Sequence, residues 1–140
     1  MNPGLLRLTL TRFLSVGVLN TVVGMVLIYG SKYFLAFDDV SANLLGYGAG
    51  LLLSFTLNST WTFSYRGPRL SALGRFLLAF AIAYVLNLLA VLACIHQAGI
   101  NAYLAHAIGL VLYTATFYLT SWLFVFPPAT ALPPPTPESE

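Results

Sequence analysis

The sequence predicts an all-α membrane protein in which four transmembrane helices form two helical hairpins in parallel repeat. Three observations carry this. Of the 140 residues, 59% are hydrophobic and only 7% are charged, whereas a soluble domain carries about 25% charged residues. The charges divide the chain into four apolar runs, none of which contains Asp, Glu, Lys or Arg. The two halves of the chain also fall into register when one is shifted by 63 residues.

The first run spans about residues 13–30, between Arg12 and Lys32. The others cover about 40–63, 76–95 and 104–126. A bilayer core about 30 Å thick is crossed by about 20 helical residues rising ~1.5 Å each, so every run is long enough. Their continuity favours helices over barrel strands, which would alternate over about ten residues. The first run follows basic residues, as a signal-peptide core would. It exceeds a typical signal core, and three equivalent spans follow, so it is expected to be retained.

Basic residues set the orientation. Arg7 and Arg12 precede the first span, and Arg66, Arg69 and Arg75 lie between the second and third. Lys32 stands opposite, beside Asp38 and Asp39, and the loop over 97–102 carries no charge. The positive-inside rule then places both termini and the central loop in the cytoplasm of a multi-pass inner-membrane protein. Tyr33, Phe34, Phe37 and Tyr103 on one side and Phe13, Trp61, Phe63, Tyr65, Phe76, Trp122, Phe124 and Phe126 on the other form the expected interfacial belts. One transmembrane domain, residues 1–126, accounts for the spans. Pro127 and Pro128 stop the last helix, and four further prolines with Glu138 and Glu140 predict a disordered cytoplasmic tail over 127–140.

The repeat places Arg12-Phe13-Leu14 on Arg75-Phe76-Leu77, Gly46 on Gly109 and Phe63 on Phe126. Each half holds two spans, so the halves share one orientation, with a pseudo-axis along the membrane normal and a crevice expected between the hairpins. Small residues line helix faces: Ala42, Gly46, Gly50 and Ser54 in the second span, Ala79 and Ala83 in the third, Gly17 and Gly24 in the first. They let backbones approach closely, within one chain or across a homodimer.

Amides inside the spans are costly against lipid, so Asn20, Asn58 and Asn87 face protein or a wet path. They either bond between helices or line a substrate route. Asn43 and His106 occupy matching outer positions, and Tyr47, Tyr84, Tyr113 and Tyr118 suit either role.

Much chemistry is excluded. No carboxylate lies within a span to serve as general base or proton carrier. His96 and His106 lack Cys or carboxylate partners at metal-binding spacing, and no phosphate-binding glycine loop is present, so neither enzymatic activity nor a metal or cofactor is expected. Cys94 stands alone and offers no internal disulfide. A net charge of +2 gives no basis for nucleic-acid binding. Arg12, Arg75, Arg66 and Arg69 either set topology or bind anionic headgroups, since guanidinium pairs with phosphate through two parallel hydrogen bonds.

The segment Arg12-Phe13-Leu14-Ser15-Val16-Gly17-Val18-Leu19-Asn20-Thr21 resembles the opening of the GtrA-like family. Leu57-Asn58-Ser59-Thr60-Trp61-Thr62-Phe63, Arg75-Phe76-Leu77-Leu78 and Leu86-Asn87-Leu88-Leu89 match it further, and Ser121-Trp122-Leu123-Phe124-Val125-Phe126 is similar to its closing segment. The resemblance covers nearly all of the chain before the proline-rich tail. It implies translocation of polyprenyl phosphate, or a polyprenyl-phosphate-linked sugar, across the cytoplasmic membrane in cell-surface polysaccharide synthesis. A membrane glycosyltransferase is the implied partner, and Arg12, Asn20, Asn58, Trp61, Arg75 and Asn87 are the implied residues. The family's basic residues after the second-span asparagine and the fourth-span serine are replaced here by Ser59 and Trp122. If those basic residues hold phosphate elsewhere in the family, Arg12 and Arg75 do more of that work here, or the ligand differs. The alternative is a non-transporting subunit that recruits or stabilises the glycosyltransferase. A small multidrug exporter ranks last, because such exporters use an embedded carboxylate.

Overall fold

A computed structural model of the protein describes residues 3–127. The tail expected to be disordered, residues 127–140, lies outside this range except for Pro127. Four helices are long and apolar enough to cross a membrane, and there is no strand among the described residues. The protein is therefore a multi-pass, all-α membrane protein.

The chain divides into two compact units between Ser64 and Tyr65. In unit 1, α1 (Pro3–Leu35) packs against α2 (Asp39–Leu57), which continues as a π-helical turn over Asn58–Thr62. In unit 2, α3 (Arg69–His96) packs against α4 (Ala102–Thr120), and a second π-turn follows over Ser121–Val125. α1 is longer than its apolar run, because the helix continues through Arg7 and Arg12 on one side and Lys32 on the other. Proline suits its first turn, where a backbone N–H has no intrahelical acceptor.

The 63-residue repeat holds within the two units' own structures. The turn after α1 places Ala36 in left-handed conformation (φ 53°), and the turn after α3 does the same with Gly99 (φ 63°). Each turn is closed by a matching bond: Phe37 N–H donates to Ser31 O (3.2 Å), and Ile100 N–H to Cys94 O (2.9 Å). Asp38 and Asn101 then cap the following helices at equivalent positions. The Asp38 carboxylate accepts from the Ser41 N–H, and the Asn101 side chain from the Tyr103 N–H. Unit 1 adds an ion pair between Lys32 and Asp39 across its turn.

Close approach of the helices depends on glycine. A Cβ at Gly46 would meet the Ile28 side chain and lie 3.1 Å from the Gly24 carbonyl. At the equivalent Gly109 it would meet Asn87 and Val91. Gly24 with Ile28 and Asn87 with Val91 are themselves equivalent pairs. Ala42, Ala105, Ala72, Ala79 and Ala83 are fully buried. Lipid offers no hydrophobic drive for helix pairing, so this packing and the polar bonds hold each pair together.

Most span hydroxyls bond a carbonyl of their own helix: Thr56 donates to Leu52 O (2.8 Å), Thr114 to Leu110 O (2.8 Å) and Thr120 to Thr116 O (2.7 Å). These threonines therefore bring no unsatisfied group into the apolar phase.

Candidate functional site

The open end of each hairpin, opposite its tight turn, carries one of the two arginines that the repeat pairs, Arg12 and Arg75. In unit 1, α1 carries Arg12 beside the end of α2. Its guanidinium donates to Trp61 O (3.0 Å) and lies over the Trp61 ring, 5.4 Å from the centroid. Phe13 meets Phe63 edge-on at 6.3 Å. Unit 2 repeats this construction. Arg75 lies 6.0 Å from the centroid of Phe124, the equivalent of Trp61, and Phe76 meets Phe126 at 6.2 Å. Arg75 also donates to the Tyr65 hydroxyl (2.9 Å), while its Nε is buried without a partner. Cation–π contact at this range steadies a guanidinium without neutralising it.

Among the described residues neither arginine has a carboxylate partner. Among the described residues the carboxylates are Asp38 and Asp39, both at the closed end of unit 1. Arg66 and Arg69 are exposed, Arg69 opening α3 directly after Pro68.

The π-turns shape these ends. Each admits one extra residue into the helical register and closes with a matching bond, Phe63 N–H to Asn58 O (2.9 Å) and Phe126 N–H to Ser121 O (2.8 Å). Such turns often occur at functional sites. The first π-turn buries Asn58, Ser59 and Thr62. Asn58 donates through Nδ2 to Ser54 Oγ (3.1 Å), and its Oδ1 is buried without a partner. Asn20 faces Gly50, where a Cβ would lie 3.0 Å from the amide oxygen, and that oxygen also lacks a partner.

The candidate residues thus do not form one cluster. Arg12 meets Trp61, Asn58 meets Ser54, Asn20 meets Gly50, and Gly24 meets Gly46. Asn87 packs at Gly109 in unit 2, while Tyr84 is exposed and stacks on Phe80. Gly17 has open space where a Cβ would stand. Sequence reasoning did not single out Thr62 and Ser121, whose buried hydroxyls have no partner, or Tyr65 as the partner of Arg75. Repeat alignment pairs Asn58 with Ser121, but the π-turns in which Thr62 and Ser121 lie leave no mark in hydropathy.

A family model for the GtrA/DPMS transmembrane domain matches residues 12–126. The chain belongs to this family. The match begins at Arg12 and ends at Phe126, so it encloses both arginine stations and both π-turns of the GtrA/DPMS domain described here. No curated protein matches the chain. The GtrA/DPMS family is associated with membrane-linked sugar transfer, and its domain is generally non-catalytic.

Proposed function

We propose that the protein translocates a polyprenyl phosphate, or a polyprenyl-phosphate-linked sugar, across the cytoplasmic membrane in cell-surface polysaccharide synthesis. The observation that carries this reading is the pair of equivalent arginines, Arg12 and Arg75, each held against an aromatic ring and, among the described residues, neither joined to a carboxylate. A guanidinium in this state suits a phosphate, which it binds with charge-assisted hydrogen bonds. The prenyl chain would remain in the bilayer while phosphate and sugar crossed beside polar side chains. Asn20 and Asn58 offer hydrogen-bonding groups inside the spans, and Trp61, Asn87 and Tyr84 are the further residues proposed for the route. This lowers the cost of moving a charged headgroup through hydrocarbon, which is several kcal/mol on insertion scales.

Both termini and the central loop would face the cytoplasm, where Arg66 and Arg69 would draw anionic headgroups toward Arg12 and Arg75. No acid lies within the spans, so the cycle would run without a proton carried by an embedded carboxylate. A membrane glycosyltransferase would supply or use the lipid-linked sugar, and a homodimer would enlarge the enclosed path.

The test is reconstitution of the full chain into vesicles with a labelled short-chain polyprenyl-phosphate hexose in one leaflet. Transbilayer movement well above that of protein-free vesicles is expected. Equal rates, together with co-purification of a glycosyltransferase, would replace this reading with that of a recruiting subunit.

A further inference from the structure

The duplication holds in the backbone but breaks down in the polar side chains. Where unit 1 carries Asn20, Gly50, Ser54, Asn58 and Thr62, unit 2 carries Ala83, Tyr113, Phe117, Ser121 and Val125. In unit 2 these positions contribute to an aromatic cluster: Phe76, Phe80, Tyr113 and Phe117 lie with neighbouring ring centroids 5.1 to 6.3 Å apart. In unit 1 the positions of Phe80, Tyr113 and Phe117 are held by Gly17, Gly50 and Ser54, and Gly50 leaves room for the Asn20 amide.

Three buried oxygens in unit 1 lack a partner: Asn20 Oδ1, Asn58 Oδ1 and Thr62 Oγ1. Asn58 is only 1% exposed and Thr62 only 2%. Most other span hydroxyls bond their own helix, so a buried hydroxyl left unbonded stands out as one that a donor or acceptor from outside would satisfy. An amide oxygen only accepts. A phosphate, itself a cluster of acceptors, does not satisfy it, whereas a sugar hydroxyl does.

We propose that the sugar of the lipid-linked ligand is held by unit 1 alone, with Asn58 and Thr62, one turn apart at the end of α2, accepting hydrogen bonds from its hydroxyls. Unit 2 is an aromatic-filled counterpart without a sugar site. It keeps one unpartnered hydroxyl, Ser121 Oγ, at the position of Asn58. This assignment rests on the translocation reading and adds that the ligand is recognised as a polyol on a lipid, with the two repeats unequal in that task.

The experiment compares binding of two probes to the full chain in lipid nanodiscs: a short-chain polyprenyl phosphate, and the same lipid bearing one hexose. The wild type is expected to prefer the hexosyl lipid. Thr62→Val, which keeps the side-chain shape, and Asn58→Ser, which installs the unit 2 residue, should each reduce that preference about tenfold. Ser121→Ala should leave the preference unchanged. An unaltered preference in Thr62→Val and Asn58→Ser, an equal loss in Ser121→Ala, or a wild type that binds both lipids alike would overturn the unit 1 sugar site while leaving translocation standing. A wild type that binds neither lipid would overturn the translocation reading, and this assignment with it.

Discussion

Ala36 and Gly99 hold the same left-handed turn position in the two repeats, yet only glycine adopts it without a Cβ penalty. Ala36→Gly is therefore expected to raise the thermal midpoint in detergent, and Gly99→Ala to lower stability by about 1 kcal/mol. Differential scanning fluorimetry on the two variants checks both signs. Gly99 sits where its residue type announces a turn, while Ala36 gives no such notice. The arginines were legible as charges flanking apolar runs, but their aromatic supports were not, because Arg12–Trp61 and Arg75–Tyr65 pairings depend on how chain ends meet in space. Asn20 and Asn58 could be picked out from the cost of an amide in hydrocarbon alone.

At the scale of helices, α1 and α2 cross so closely at Gly46 that a Cβ there would meet the Ile28 side chain and the Gly24 carbonyl. Gly46→Val should weaken the helix pair and lower the midpoint, whereas Gly48→Val, with open space at its Cβ position, should leave it nearly unchanged. The α2 cap is sensitive to acid. Bonds from the Ser41 N–H and hydroxyl hold the Asp38 carboxyl below its ordinary value of 3.8. The unfolded chain then takes up a proton first as pH falls. The cap's contribution is complete above the ordinary value and is lost as pH drops through the lowered one. Asp38→Asn keeps a capping oxygen and should flatten that acid limb, as thermal midpoints measured across the acid range will show. The helices themselves were readable because a span without charges, about 20 residues long, has few alternatives. The extent of α1 was not, since a helix runs past the membrane edge without any change in local propensity, and a π-turn shifts register without altering hydropathy.

For the whole molecule, the duplication was legible from a few identities at one spacing, and the turns, caps and ring pairs of the two units fit it at matching positions. The orientation rests on charge bias. With Cys94 replaced, a single cysteine at Arg66 should react with an impermeant thiol reagent only from the cytoplasmic side. The proposed transport rests most directly on the paired arginines. The decisive measurement is the transbilayer rate of a polyprenyl-phosphate hexose in vesicles carrying the wild type or the Arg12→Ala, Arg75→Ala double variant, with correct insertion verified for both. Movement with the wild type and a fall to the protein-free rate with the double variant is the expected result. A double variant that moves the lipid as fast as the wild type would contradict it.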